Sequence, residues 1–106
     1  LLPAAAEMAF AGRVGLELDL SSLPAEGEPD LTARCFAETP SRYLLEIAPD
    51  HVDAAVRSLR DAGVPFAQIG TFADHPNLTL RTAAQGQVFT AKLDDLREAW
   101  LAPLDW

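Results

Sequence analysis

The stretch VGLELDL at residues 14–20 alternates between large aliphatic residues and small or acidic ones. Successive side chains of a strand point to opposite faces of its sheet, so the aliphatic residues share one face. Gly15, Glu17 and Asp19 share the other face. The pattern predicts a strand that is buried on one side and polar on the other, and the remaining elements can be arranged around it.

Periodicity and turn residues predict four helices and four further strands around this strand. The predicted helices cover residues 1–11, 31–37, 49–62 and 93–101, and the predicted strands cover residues 14–20, 42–48, 65–72, 78–82 and 87–91. Gly12 and Gly63 are expected to end helices in the left-handed conformation. Residues 21–30, which are rich in proline and acids, predict a surface loop. Gln85 and Gly86 predict a hairpin turn.

The predicted unit of strand, helix and strand over residues 42–72 favours a right-handed parallel crossover with 42–48 as a central strand. The later strands are expected to pair antiparallel. The sequence therefore predicts one α+β domain with a mixed sheet and helices packed on one face. Gly70 predicts a bulge or a close backbone approach within its strand.

The net charge and the cysteine count exclude or disfavour several classes of function. The 106 residues carry a net charge of −8, which argues against a nucleic-acid or anionic membrane partner. Cys35 is the only cysteine, so an internal disulfide and a thiolate metal site are excluded, and we expect a buried thiol in a reducing, cytoplasmic setting. The chain opens at Leu1 with residues that resemble the middle of a helix, so we expect a piece of a longer polypeptide.

Glu38, Thr39, Ser41 and Arg42 are the candidate binding residues, because they crowd into the turn between a predicted helix and a predicted strand. In one interpretation the turn contacts a substrate or nucleotide, with Arg42 pairing to a phosphate or carboxylate. In the alternative, Pro40 fixes a local bend and Glu38 pairs with Arg42. Spacing alone favours the alternative.

Other chemistry lacks a signature in the sequence. His51 and His75 have no metal-ligand partner at short spacing, so no metal site is expected. A serine-hydrolase elbow and a glycine-rich phosphate loop are both absent from the sequence. Trp100 and Trp106 are expected to be packing anchors, and no catalytic residue is predicted.

Three motifs carry a resemblance to a known family. EMAFAG at residues 7–12 with GLELDL at 15–20, FAETPSRY at 36–43, and LREAW at 96–100 followed by Pro103-Leu104 occur in that order. Together they resemble the synthetase subunit of phosphoribosylformylglycinamidine synthase, and the middle motif is shared more widely among AIR-synthase-like proteins. The resemblance implies the end of an AIR-synthase-like C-terminal domain.

The resemblance also implies an activity for the parent enzyme. ATP, with Mg²⁺, activates the formyl amide oxygen of a ribonucleotide, and ammonia from glutamine then gives the amidine. The family's catalytic and metal-binding residues lie upstream of this stretch, so the fragment itself is expected to hold no cofactor. Pro40 stands where the family's substrate-contacting motif has glutamine, which removes an amide from that position.

The resemblance further implies partners. These are the remainder of the synthetase polypeptide, a glutaminase and a small structural subunit, and a homodimer could also cover an exposed apolar face. Our leading hypothesis is a mainly structural C-terminal fragment. The alternatives are a stand-alone non-catalytic α+β interaction module and another AIR-synthase-like relative, such as a selenophosphate synthetase or a hydrogenase-maturation protein.

Overall fold

A computed structural model of the chain describes residues 1–104. Trp106, a predicted packing anchor, lies outside the described residues. The helices are α1 (Leu2–Gly12), α2 (Leu31–Phe36), α3 (Val52–Asp61) and α4 (Leu93–Leu101), and the strands are β1 (Gly15–Asp19), β2 (Gly70–Ala73), β3 (Asn77–Thr82) and β4 (Gly86–Lys92). Short 3-10 turns at Pro49–His51 and Ala102–Leu104 precede α3 and follow α4.

The four strands form one mixed sheet in the order β2-β1-β3-β4. Strand β1 lies inside the sheet, antiparallel to β2 and parallel to β3. Strands β3 and β4 form the predicted hairpin, with a register shift at Leu80/Arg81. The predicted α+β class and the mixed sheet are thus confirmed.

The apolar face of the sheet forms the core, as the alternation of β1 predicts, except that Val14, which was predicted to share this face, is 38% exposed. Leu16, Leu18 and Leu20 are buried. They join Leu78 and Leu80 of β3, Leu93 of α4, and the small residues Ala5 and Ala9 of α1. Burying one leucine side chain contributes about 1.5–3 kcal/mol, so this cluster accounts for much of the fold's stability.

The predicted strand at 42–48 is wrong, because the structure gives these residues neither helix nor strand. A largely apolar run becomes a strand only where a neighbour supplies the backbone hydrogen bonds. Within residues 1–104, no backbone-to-backbone hydrogen bond involves residues 43–47. The predicted parallel crossover over 42–72 is wrong for the same reason, and the parallel pair is β1 with β3.

The strand predicted at 65–72 is shorter than expected and begins at Gly70. Only Ile69 extends the pairing, by accepting a hydrogen bond from Asp19 N–H at 2.8 Å. The predicted close approach at Gly70 is confirmed. A Cβ on this glycine would lie 2.6 Å from the Glu17 backbone oxygen.

The helix ends show one correct and one wrong glycine assignment. Gly63 has a φ of 67° and ends α3, as predicted. Its N–H donates to Arg60 O, and Val64 N–H donates to Leu59 O, both at 3.0 Å. At the end of α1 the left-handed residue is Arg13, with a φ of 54°, because Gly12 still belongs to the helix.

Two apolar features are less buried than their sequence patterns suggest. Helix α3 has no fully buried side chain, although Val52, Val56 and Leu59 form its predicted stripe. Trp100 of α4 is 48% exposed and packs its ring at 5.9 Å, centroid to centroid, from that of Phe10. No helix within the described residues is long and apolar enough to cross a membrane.

Candidate functional site

A cavity lies beside the segment that sequence analysis singles out. Its volume is about 500 Å³. Residues 39–45 and Ile47 form one wall, the apolar stripe of α3 forms a second, and residues 64–70 form a third. Arg42 carries the one charged side chain on this wall among the described residues, so the cavity is mainly apolar.

Three of the four candidate residues line this cavity, and the fourth lines a neighbouring one. Thr39, Ser41 and Arg42 line the 500 Å³ cavity, while Glu38, Thr39 and Arg42 line the neighbouring cavity of about 190 Å³. Arg42 is half-buried and the other three are exposed. The structure therefore gathers all four residues around the ridge between two cavities.

Arg42 has a structural partner. Its Nη2 donates a hydrogen bond to the carbonyl of Pro24 at 3.1 Å, which ties the turn to the acidic loop 21–30. The Glu38–Arg42 pair of the local-turn interpretation does not form, since the ion pairs within residues 1–104 join Glu17 to His75 and Arg81. The arginine instead satisfies a backbone carbonyl.

The backbone of the turn is strained at one residue. Ser41 has a φ of 62°, a left-handed conformation that side chains disfavour. Pro40 before a residue of positive φ is the pairing found in type II turns. Such a conformation costs about 1–3 kcal/mol and persists where surrounding contacts fix it. The Arg42 bond to Pro24 is one such contact.

A second arginine, which sequence analysis missed, holds the same acidic loop. Arg34 Nε donates to Pro29 O, and its Nη1 donates to Leu20 O and Leu23 O, each at 3.2 Å. The sequence did contain a signal for this role, which is a basic residue in a short helix that directly follows a proline-rich loop. Asp30 caps that helix by accepting from Ala33 N–H at 2.8 Å.

A polar cluster lies on the opposite face of the sheet. Glu17 Oε1 lies 3.0 Å from His75 Nε2, and its Oε2 accepts from Arg81 Nε at 3.0 Å. The Arg81 hydrogen bond is the main reason that the pKa of Glu17 lies below its usual value, with a smaller contribution from His75. Sequence analysis placed Glu17 on this face but did not find its partners.

The acidic residues near the loop do not form a metal site. Among residues 1–104, no group of three or more His, Cys, Asp or Glu side chains is arranged to hold a metal ion. Asp19 instead accepts from Ser21 N–H at 2.8 Å, and hydrogen bonding by Ser21 lowers the pKa of this carboxyl. Within the part of the chain that the structure describes, the lining of the 500 Å³ cavity includes no carboxylate side chain, so it offers no Asp or Glu ligand for a Mg²⁺ ion.

Comparison with protein families gives a match over most of the chain. The family "AIR synthase related protein, C-terminal domain" matches residues 1–83, which include the core apart from Leu93, helix α3 and both cavities. The chain belongs to this family. The match confirms the AIR-synthase-like C-terminal domain that the three motifs predicted.

This AIR synthase C-terminal domain has curated relatives named phosphoribosylformylglycinamidine synthase subunit PurL. One from Corynebacterium ammoniagenes is 42% identical over 101 residues, covering 95% of this chain and 12% of the relative. One from Deinococcus radiodurans is 36% identical over 104 residues, covering 98% of this chain and 13% of the relative. No solved structure gives a significant match.

The relatives also cover the segment beyond the family match. Their similarity extends over as much as 98% of the chain, so it includes β4 and α4, which follow residue 83. The AIR synthase C-terminal domain and its C-terminal extension therefore both resemble PurL. The chain spans about an eighth of the length of these relatives.

Proposed function

We propose that this chain is the C-terminal part of a phosphoribosylformylglycinamidine synthase synthetase subunit, in which it supports the structure and supplies no catalytic residue. The observation that carries the proposal is the similarity to PurL over 98% of this chain but only 13% of the relative's length. The closing motif at residues 96–104 lies outside the AIR synthase family match, so it favours PurL over other AIR-synthase-like proteins.

The parent enzyme would make an amidine from a formylglycinamide ribonucleotide, with ATP, Mg²⁺ and glutamine-derived ammonia. Its partners would be a glutaminase and a small structural subunit, in the cytoplasm. The cofactors would bind in other parts of the polypeptide. The mainly apolar cavity beside Arg42 supports that assignment.

The contacts made by Arg42 of the turn and by the nearby Arg34 support a structural role. Arg42 is bonded to Pro24, and Arg34 makes three bonds to loop carbonyls. Both guanidinium groups therefore stabilise the connection between β1 and α2. A substrate or nucleotide contact by Glu38, Thr39, Ser41 and Arg42 is the competing proposal for the same turn.

One variant separates these two roles for the turn. In the full synthetase polypeptide, we expect Arg42→Ala to lower the melting temperature while amidine formation per folded enzyme stays unchanged. Glu98→Gln, an exposed change on α4, serves as the control for a generic surface substitution. A raised KM for ATP or ribonucleotide at unchanged stability would instead assign Arg42 to binding.

The assignment to a synthetase is tested by the gene product itself. We expect an antibody against this segment to detect a polypeptide about eight times longer, as in the relatives. That polypeptide should form the amidine with ATP and ammonia, and the 106-residue chain alone should not. Turnover by the short chain alone would disprove the structural role.

The second candidate is a stand-alone interaction module, which would appear as a product of about 11.4 kDa. Its own core of leucines favours independent folding. However, a self-sufficient module should not leave a large apolar patch exposed. Tyr43 is 79% exposed, Leu45 66% and Val64 46%, and all three line the large cavity. This exposure favours the fragment.

A further inference from the structure

We propose that residues 43–47 are a docking edge for a β-strand that comes from the remaining part of the synthetase polypeptide and fills the 500 Å³ cavity. The source of this strand rests on the proposed function. The existence of the docking edge rests on three features of the described residues, which are the free backbone, the apolar walls and the open edge of β2.

The free backbone is the first feature. Residues 43–47 read as a strand in the sequence, yet within residues 1–104 they make no backbone-to-backbone hydrogen bond. Peptide N–H and C=O groups next to an apolar cavity need partners once that cavity is closed to water. An added strand supplies such partners along its whole length.

The apolar walls are the second feature. Val56 and Leu59 of α3 face the cavity, and Phe66 and Ile69 line its third wall. All four side chains are only half-buried. Protein interiors are close-packed and rarely contain voids of this size, so these walls have the character of an interface that awaits apolar side chains.

The open edge of β2 is the third feature. Within residues 1–104, strand β2 ends the sheet and pairs only with β1. Gly70 of β2 lines the cavity, as do residues 64–69 that lead into the strand. A strand entering the cavity would therefore meet a sheet edge as well as residues 43–47. Exposed sheet edges of this kind are commonly paired or covered in native proteins.

The length of the relatives and the net charge of this chain indicate what occupies the cavity. The relatives are about eight times longer than this chain, so most of the polypeptide is available to cover the surface. A second copy of the chain would bring another net charge of −8, and like charges oppose association. A small apolar molecule could fill the walls but would leave the peptide groups of 43–47 without partners.

The test is hydrogen–deuterium exchange on the full synthetase polypeptide and on the 106-residue chain alone. We expect amides 44–47 to exchange at least about 100-fold more slowly in the full polypeptide. The interior amides of β3 should be protected in both samples and serve as the folding reference. If the β3 amides are not protected in the short chain, that chain is not folded. The exchange rates of amides 44–47 in the full polypeptide are then compared with the intrinsic rates of an unstructured peptide.

A matched pair of variants locates the effect. Leu45 is 66% exposed and Leu104 is 59% exposed, and only Leu45 lines the cavity. In the full polypeptide, Leu45→Asp should lower protection at 44–47 at least about tenfold, whereas Leu104→Asp should leave it unchanged.

Three outcomes would overturn the proposal. Fast exchange at 44–47 in an active full polypeptide would show that no strand docks there. Protection in the short chain that rises with concentration, together with a dimeric mass, would assign the edge to a second copy. A gene product of only 106 residues would remove the proposed occupant. A gene product of that size would overturn the proposed function as well. In a full-length polypeptide the two failures are distinct, because failure of the proposed function appears there as absent amidine formation whatever the exchange rates.

Discussion

His75 Nε2 lies 3.0 Å from Glu17 Oε1. This contact joins the turn after β2 to the middle of β1, although the two residues are 58 positions apart in the chain. The other ring nitrogen, Nδ1, accepts a hydrogen bond from Asn77 N–H at 3.3 Å. Because Nδ1 acts as an acceptor, Nε2 carries the proton and donates to the carboxylate. Glu17 thereby holds the turn and Arg81 of β3 at the same time.

This arrangement predicts a pH dependence of stability. The pKa of Glu17 is lower in the folded chain than its usual value, chiefly through the Arg81 hydrogen bond. Its contribution is therefore present above the unfolded pKa of about 4.3 and is lost as the pH falls through the folded value. We expect Glu17→Gln to unfold at lower urea concentration than wild type at pH 7, with a smaller difference at pH 3.

Glu98→Gln is the control for the loss of one carboxylate, because Glu98 is exposed on α4. Its urea midpoint should stay close to that of wild type at both pH values. An equal difference between wild type and Glu17→Gln at pH 7 and pH 3 would show that ionisation of Glu17 does not stabilise the fold.

The close packing of Gly15 against the same histidine predicts that a side chain at this position would destabilise the fold. A Cβ at this position would overlap the ring and backbone oxygen of His75. We expect Gly15→Ala to destabilise the chain by about 1–3 kcal/mol, as overpacking does elsewhere, measured by urea unfolding. Gly12→Ala is the matched control, because a Cβ there has no atom within 4 Å.

The two glycine variants should differ in sign. Alanine is favoured over glycine in a helix by about 0.5–1 kcal/mol, so Gly12→Ala should leave stability unchanged or raise it. Equal stability of Gly15→Ala and wild type would mean that His75 moves away at little cost. In that event its bond to Glu17 would not constrain the turn.

The burial of Cys35 predicts that its thiol reacts slowly with a labelling reagent. The residue is 3% exposed, and burial raises the pKa of its thiol. Since the thiolate is the reactive species, we expect an aromatic disulfide reagent at pH 8 to label the native chain far more slowly than the urea-unfolded chain. Native labelling as fast as that of the unfolded chain would contradict the burial of Cys35.

Local pattern was sufficient to predict the parts of the fold that rest on neighbouring residues. The alternation of β1 gave the buried face of Leu16, Leu18 and Leu20, since one face of a strand follows from its two-residue period. Gly63 and Gly70 were assigned correctly because a left-handed helix end favours glycine and a close backbone approach leaves no space for a Cβ.

The failures at residues 42–48, at Glu17 and at the candidate turn have a common physical cause, which is dependence on distant partners. Residues 42–48 carry a strand pattern, but a strand requires another strand beside it. The partners of Glu17 are 58 and 64 residues away, so no local spacing could reveal them. The sequence could place Glu38, Thr39, Ser41 and Arg42 in a turn, but not the cavity that α3 and residues 64–70 form beside them.

The contact between α1 and α4 gives the last prediction. The rings of Phe10 and Trp100 lie 5.9 Å apart at 53°, a tilted geometry that aromatic pairs favour. A fully buried tryptophan would cost about 3–5 kcal/mol on replacement by alanine, but Trp100 is 48% exposed, so we expect a smaller loss. A double-mutant cycle with Phe10→Leu and Trp100→Leu should give a coupling of about 0.5–1.5 kcal/mol. Additive losses in the cycle would show that α4 is held by Leu93 in the core and not by this aromatic pair.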